Sequence, residues 1–321
     1  MNCRVGVLRG GPSSEYEISL KTGDAVLRNL PKHKYKVSDI LITKNGEWNI
    51  DGFPTTPAKL ARQIDVAFNA MHGEFGEDGQ VQQVLEHHKI PFTGARAFAS
   101  SLGMNKGLAK QAFENHGIRT PKYYVVKQGD DILQSAMDIF HGMESPFVVK
   151  PISAGSSVGV VQVSGYKELI SAIQMILNKY PAAIVEQFVR GREITCGVID
   201  IPEWNETLPL KPIEVIVPSG EMIWDYNAKY SGKTEEICPA EIDDNMTARI
   251  QALAVAAHDA LGMHHYSRSD FIVNAYGIWI LEINSLPGLT EESLLPKSLA
   301  ASGIGLPYFL DYVVTLALTE K

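Results

Sequence analysis

The 321-residue chain has three cysteines, Cys3, Cys196 and Cys238, and no CxxC pair. So sparse and odd a set supports neither a disulfide framework nor a cysteine knuckle for metal, and it fits a reducing compartment. Basic runs are missing as well. The net charge is −8, and no lysine- or arginine-rich stripe is available for duplex nucleic acid or an anionic membrane surface. No stretch approaches the roughly 18 uninterrupted apolar residues of a membrane span. The short run Val5-Gly6-Val7-Leu8 between Arg4 and Arg9 lacks the apolar length of a secretory signal. Internal repeats and low-complexity tracts are absent, as are the GxxxxGK[ST] phosphate loop and the dinucleotide-binding glycine fingerprint. What is present is an ordinary globular balance, 45% hydrophobic and 21% charged. At this length it implies two or three domains with a sizeable core, and the expected location is the cytoplasm.

The chain changes texture along its length. Residues 3–8 read as a buried strand that runs into the turn Gly10-Gly11-Pro12-Ser13-Ser14. Ser13 or Ser14 can cap a helix over 15–30, with Glu15 and Glu17 in its first turn, where the helix dipole favours acid. Strands at 35–42 and 65–70 and a helix over 79–88 complete an alternation typical of a parallel α/β unit. Pro91-Phe92-Thr93-Gly94 marks a boundary. A helix over 105–116, closed by Gly117, leads into strands at 123–126, 147–150, 158–163 and 183–188, with helices near 131–140 and 166–178. This second region reads as a small α+β unit with an antiparallel sheet. Further strands are expected at 194–201, 213–217, 269–273 and 278–283, with an alanine-rich helix over 245–261. Residues 224–236 are polar and aperiodic, a candidate lid loop.

Three clusters carry chemistry. Val148-Val149-Lys150-Pro151 ends a strand, and Ile152-Ser153-Ala154-Gly155-Ser156-Ser157-Val158-Gly159 follows. Small residues and hydroxyls let backbone N–H groups approach phosphate oxygens within reach of Lys150; the same loop would serve as a plain hairpin turn. In the second cluster, a three-residue loop at Ala275-Tyr276-Gly277 would pair Asp270 with Glu282 and put a left-handed glycine at 277. Glu282 and Asn284 would then share a face and Ile283 would point to the core. Two carboxylates and an amide oxygen suit Mg²⁺, although a solvated acidic strand face has the same pattern. Gly288, in the Pro-Gly turn just beyond, is a candidate oxyanion donor. The third cluster, His72-Gly73-Glu74-Phe75-Gly76-Glu77-Asp78-Gly79, lies at the carboxyl end of a parallel strand, where open α/β sheets bind ligands.

Taken together, the motifs resemble the D-alanine–D-alanine ligases of the ATP-grasp superfamily. The matching text is GGPSSEYEIS at 10–19, HGEFGEDG at 72–79, NK at 105–106, VVKPISAGSSVG at 148–159, VEQFVRGREIT at 185–195, DYNAKYSG at 225–232, RSD at 268–270 and LEINSLPGLTEESL at 281–294. The resemblance implies an ATP-grasp fold, mixed α/β and α+β, in three units. These are an N-terminal parallel α/β substrate-binding domain over 1–94, a central subdomain over 95–187, and a C-terminal subdomain over 188–321 carrying the metal site and the lid.

By motif position it implies that Lys106, Lys150, Ser156, Ser157 and Lys229 meet ATP phosphates. Glu186, Phe188 and Val189 would line the adenine pocket, and Glu193 would hold the ribose. Asp270, Glu282 and Asn284 would bind two Mg²⁺ or Mn²⁺. Glu15 would hold the ammonium of the first D-alanine with His72 nearby, and Ser156 and Tyr230 would bridge to Glu15. Arg268 and the Gly288 N–H would stabilise the oxyanion, and Ser293 and Leu294 would cradle the second carboxylate. The implied activity is ATP-dependent formation of D-alanyl-D-alanine, a peptidoglycan precursor, through an acyl phosphate, by a homodimer. The chain departs from the family pattern at Asn105, at Ser153-Ala154-Gly155 and at Ser285. Glu291 and Glu292 add negative charge beside the second substrate. D-lactate or D-serine as second substrate, or a silent ATP-binding protein, are the alternatives; Tyr226 and Tyr230 in the expected lid favour the dipeptide.

Overall fold

The structure, a computed structural model, describes residues 3–155, 159–216 and 234–319. Its first sheet is built from β1 (Cys3–Gly10), β2 (Tyr35–Ile42), β3 (Trp48–Ile50), β4 (Phe53–Pro54) and β5 (Val66–Asn69) in the order β4-β3-β2-β1-β5. β1 pairs in parallel with both β2 and β5, as the strand–helix alternation predicts. The two short strands β3 and β4 add an antiparallel edge that the sequence pattern does not announce. Helices α1 (Tyr16–Asn29), α2 (Pro57–Leu60) and α3 (Gln80–His87) belong to this region. Neither expected serine is the N-cap of α1. Glu15 takes that position without a side-chain cap, and Ser13 Oγ instead accepts the Glu15 N–H at 3.0 Å.

The second sheet is wholly antiparallel, in the order β6-β9-β7-β8, from β6 (Tyr123–Lys127), β7 (Phe147–Pro151), β8 (Val161–Val163) and β9 (Ala182–Gln187). Two helices cover it, α6 (Ile132–Gly142) and α7 (Tyr166–Leu177), and they share one core with it through Ile139, Phe147, Leu169, Ile173 and Val185. Both helices have amphipathic spacing, which is why their positions are legible in the sequence.

The third sheet runs β13-β12-β10-β14-β15, with a further strand on β10. It comprises β10 (Arg192–Ile201), β11 (Glu206–Pro209), β12 (Ile213–Ile216), β13 (Glu235–Ile237), β14 (Tyr266–Asn274) and β15 (Gly277–Asn284). Most of the expected lid, 224–233, lies outside the described residues; its end does not loop freely, because Glu235 and Glu236 pair with β12. Two helices that precede the second sheet in the chain pack here. They are α4 (Ala97–Met104), which the sequence reading passes over, and α5 (Lys106–Asn115); Ala99, Ala109 and Phe113 share a core with Ile194, Phe271 and Ile280. The long helix α8 (Asp244–Ala260) lies on the same core through Ile250, Ala254 and Ala257. The buried residues of α4 are Ala97, Ala99, Ser100 and Gly103, so it packs without the leucine stripe that marks a helix in sequence.

The chain ends in α9 (Leu294–Ala301) and α10 (Leu306–Thr319). α10 returns to the first sheet. Phe309, Leu310, Val313 and Val314 join Val5, Val7, Val26 and Phe68 in one core. Tyr266 of β14 meets Phe309 edge-on with ring centroids 5.3 Å apart. One core therefore takes residues from both ends of the chain and clamps the first sheet against the third. No single described helix is long and apolar enough to cross a membrane. Replacing the fully buried Phe309 by alanine is expected to lower the unfolding free energy by about 3–5 kcal/mol. Denaturant unfolding checks this, and a loss below about 1 kcal/mol would show that α10 does not hold the two sheets together.

Candidate active site

The acidic hairpin forms, but not by the expected turn. Asp270 does pair with Glu282. The loop, however, has two residues, Ala275 and Tyr276, because Asn274 pairs with Gly277 and Asn274 Oδ1 accepts the Tyr276 N–H at 2.8 Å. Gly277 has a φ of +143° rather than a left-handed helical value. The missing offset is restored farther along, where pairing jumps from Ile280 to Glu282 and leaves Leu281 as a bulge. A one-residue slip reverses the faces of a strand. Without the bulge, Glu282 and Asn284 would turn into the core and Ile283 would face the site.

With it, Arg268, Asp270, Glu282 and Asn284 share one face. Arg268 grips Asp270 with two bonds, Nε to Oδ1 at 2.9 Å and Nη2 to Oδ2 at 2.8 Å. Thr195 Oγ1 on β10 donates to Asp270 Oδ1 at 2.6 Å, and Asn284 Nδ2 donates to Oδ2 at 3.1 Å. Burial opposes the Arg268 charge, yet Asp270, aided by Glu282 and Glu77, holds its pKa above the usual arginine range. Glu282 is more open and lies 3.3 Å from Lys106 Nζ, which also donates to Ala154 O at 2.8 Å.

A second group of charges sits deeper. Glu186 on β9 is 3% exposed, and its Oε1 lies 2.9 Å from Lys150 Nζ and 3.3 Å from Lys110 Nζ. Burial works against the Glu186 carboxylate, but the two lysines hold its pKa below the usual range. Lys150 is likewise kept above the usual lysine range by Glu186 and Glu282, against burial. Lys110 is pushed down by burial to about 8 despite Glu186.

The third group gathers at the carboxyl ends of the first sheet. Glu15 and His72 are buried, and His72 Nε2 hydrogen-bonds Thr22 Oγ1 at 2.8 Å. Glu77 Oε2 accepts the Gly73 N–H at 2.7 Å, and Oε1 accepts the Leu286 N–H at 3.3 Å, so this side chain ties the first sheet to the turn after β15. Gly155 packs directly on Glu15 Oε1, where a Cβ would force the carboxylate to move, so the phosphate-type loop after Lys150 meets the first sheet at this glycine.

The hairpin group and the first-sheet group face common space. A cavity of about 1170 Å³ is lined by Glu15, His72, Glu77, Arg268, Asn284 and Gly288, with Ser293 and Leu294 at the start of α9. Ser293 Oγ bonds Thr290 Oγ1 at 2.7 Å and does not cap its helix, so the first N–H groups of α9 remain available to an anion. Lys106, Glu282 and Asn284 line an adjoining pocket with Ala154 and Gly155. Phe188, Val189 and Glu193 are half-buried just beyond Glu186, and Glu193 pairs with Ile272 on the Asp270 side of β10. Ser156, Ser157, Lys229 and Tyr230 lie outside the described residues.

Among the described residues no three His, Cys, Asp or Glu side chains converge as a metal cluster. The donor set at the hairpin is instead two carboxylates and one amide, hard oxygens whose chemistry suits Mg²⁺ or Mn²⁺. Asp270 already accepts four hydrogen bonds, one of them from the Asn284 amide.

Sequence reasoning missed Lys110, Glu77 and Thr195. Lys110 occupies the apolar stripe Ala109–Phe113 of α5, and a lysine in such a stripe is a signal in itself. Glu77 stands inside the motif at 72–79 but is indistinguishable there from its acidic neighbours. Thr195 carries no signal; only the pairing of β10 with β14 puts it opposite Asp270.

Comparison with known proteins shows which family the chain resembles. Two family models match, one described as the D-ala D-ala ligase N-terminus over residues 4–56 and 52–95, the other as the D-ala D-ala ligase C-terminus over 112–315. The chain is 40% identical to a D-alanine–D-alanine ligase of Geobacter sulfurreducens, over 98% of this chain and 94% of the relative. Among solved structures it is similar to the VanG D-Ala:D-Ser ligase of Enterococcus faecalis, with a TM-score of 0.87, 29% identity, and coverage of 99% and 100%. It is also similar to a D-alanine–D-alanine ligase of Bacillus anthracis complexed with ATP, with a TM-score of 0.83, 30% identity, and coverage of 98% and 97%.

Burial, and then the neighbouring Glu15, push the Glu77 carboxyl up to about 8. A raised acid binds its proton more tightly in the native state, so its stabilising contribution is complete at acidic pH and is lost as pH rises through about 8. Glu77→Gln stays neutral throughout. Its melting temperature, relative to the unsubstituted protein, is therefore expected to climb between about pH 4.5 and about pH 8 and to level off above that. A difference that stays flat over that range would mean that Glu77 is ionised in the native state.

Proposed function

The chain belongs to the D-alanine–D-alanine ligase family, with the ATP-grasp fold, and from that we propose how its own residues carry out the ATP-dependent joining of two D-alanines into D-alanyl-D-alanine. The observation that carries the assignment is the single cavity in which the buried acid Glu15, the clamped Arg268, Gly288 and the open end of α9 meet beside the Lys106–Glu282 edge. Two amino acids and a nucleotide's phosphates need such a meeting of unlike charges.

The carboxylate of the first D-alanine attacks the γ-phosphorus of ATP, the bond to ADP breaks, and an acyl phosphate forms. Glu15 holds the ammonium of that D-alanine, with His72, fixed by Thr22, beside it. Lys106 and Lys150, with the loop after Lys150, take charge that spreads over the transferring phosphoryl group. Asp270, Glu282 and Asn284 would hold two Mg²⁺ or Mn²⁺, which would supply further neutralisation of that charge. The amine of the second D-alanine, having lost a proton, then attacks the acyl carbon, and phosphate departs. Arg268 and the Gly288 N–H face the oxyanion of that step, and Ser293 with the first N–H groups of α9 receives the second carboxylate. The Asp270–Thr195–Asn284 contacts hold Arg268 rigid, so little reorganisation is needed as charge develops.

The test is phosphate release with ATP, Mg²⁺ and D-alanine as the sole amino acid, with the product identified by mass. Release together with D-alanyl-D-alanine is expected. Turnover only when D-serine or D-lactate is added would overturn the dipeptide assignment and shift attention to Glu291 and Glu292 at the cavity rim. Arg268→Ala is expected to lower kcat by about 10²–10³-fold; a loss of less than about threefold would remove Arg268 from the oxyanion site.

A further inference from the structure

Lys110 is a buried charge for which the reaction above has no task. It lies wholly inside the protein on α5, whose other buried residues belong to the core of the third sheet. Its ammonium, however, crosses to the second sheet, 3.3 Å from Glu186 Oε1. It also donates to Thr120 Oγ1 at 2.6 Å, and Thr120 donates to Ile280 O at 2.9 Å. Ile280 N–H in turn donates to Arg119 O at 2.9 Å. Ile280 is the residue next to the bulge that turns Glu282 toward the site. A single chain of contacts therefore runs from Glu186, through Lys110 and Thr120, to the acidic hairpin.

Glu186 has two cationic neighbours, and they are not equivalent. Lys150 is 8% exposed and stands at the end of the strand that opens into the phosphate-type loop; bound phosphates draw on its charge. Lys110 is fully buried, with its ammonium on Thr120 and 5.8 Å from the ring of Tyr123. When phosphates compete for Lys150, Lys110 is the counter-ion that stays with Glu186.

An ionised carboxylate can only accept hydrogen bonds, whereas a neutral carboxyl both donates and accepts. An acceptor-only group matches the amino substituent at the purine 6-position and repels a 6-oxo group. We infer that Lys110 is a positioning residue for base selection: it keeps Glu186 charged and aimed, so that this chain prefers a 6-amino over a 6-oxo purine triphosphate. The inference rests on the reading of Glu186 as an adenine-pocket residue.

The experiment compares ATP with ITP, which carries a 6-oxo group and a hydrogen on N1 in place of the 6-amino group and bare N1, as substrates of the full-length protein with D-alanine. The variants are Lys110→Met, Lys110→Arg and Glu186→Gln. Lys110→Met is expected to cut the ATP-over-ITP ratio of kcat/KM by about tenfold or more, as befits a hydrogen bond to a charged group. The loss should fall mainly on KM for ATP, and Lys110→Arg should recover part of it. If Glu186→Gln lowers the ratio and Lys110→Met does not, the role of Lys110 is wrong while the adenine reading stands. If Glu186→Gln also leaves the ratio unchanged, the adenine reading fails and the inference falls with it. Equal losses for both nucleotides in Lys110→Met would mean that the lysine only supports the fold. Should Lys110→Met not fold, Lys110→Gln, polar but uncharged, is held to the same outcomes.

Discussion

Ions taken out of water must find partners, and this molecule takes several out of water where its three sheets meet. Arg268 and Asp270 are each less than a tenth exposed, and Glu186 and Lys110 are almost wholly enclosed. An unmatched charge at such depth would cost several kcal/mol. Arg268 is matched by Asp270 two residues along the same strand, Asp270 in turn by Thr195 on the neighbouring strand, and Glu186 by lysines from a helix and from an adjacent strand. The Lys110–Glu186 pair therefore joins the second sheet to the helix packed on the third by charge balance. The same balance leaves positive and negative groups facing a common cavity, where a nucleotide and two zwitterions can exchange for them.

The bulge at Leu281 shows how small a backbone adjustment decides the chemistry. A two-residue turn with perfect pairing would have aimed the acids of β15 inward. One extra residue, next to Ile280, which Arg119 and Thr120 fasten, reverses the face from Glu282 onward. The segment that fastens it also touches Lys110, so the side of the cleft that bears Glu186 and the acidic side share a support. Glu77 does similar work at the other end, bridging the first sheet to the Leu286 N–H.

Much of this was legible beforehand. The strands and helices with regular apolar spacing, such as α1, α7 and β14, stand close to where the pattern puts them. The pairing of Asp270 with Glu282 was correct, although the loop that would produce it was not. The serine caps before α1 were misjudged, because Ser13 serves the Glu15 N–H and not the helix. α4 escaped notice because small residues pack without a periodic stripe.

The sequence by itself determined the element types, the order of the motifs and, through that order, the family. These are local properties, written in periodicity and in the residue types that phosphate and carboxylate chemistry requires. The tertiary structure alone decided which face the acids of β15 present, that Lys110 is sealed against Glu186, that Thr195 stands beside Asp270, and that the last helix closes the first sheet. Each of these depends on register or on neighbours far apart in the chain. No window of sequence contains both partners of a long-range contact, and burial gives a charge its meaning only once those partners are in place.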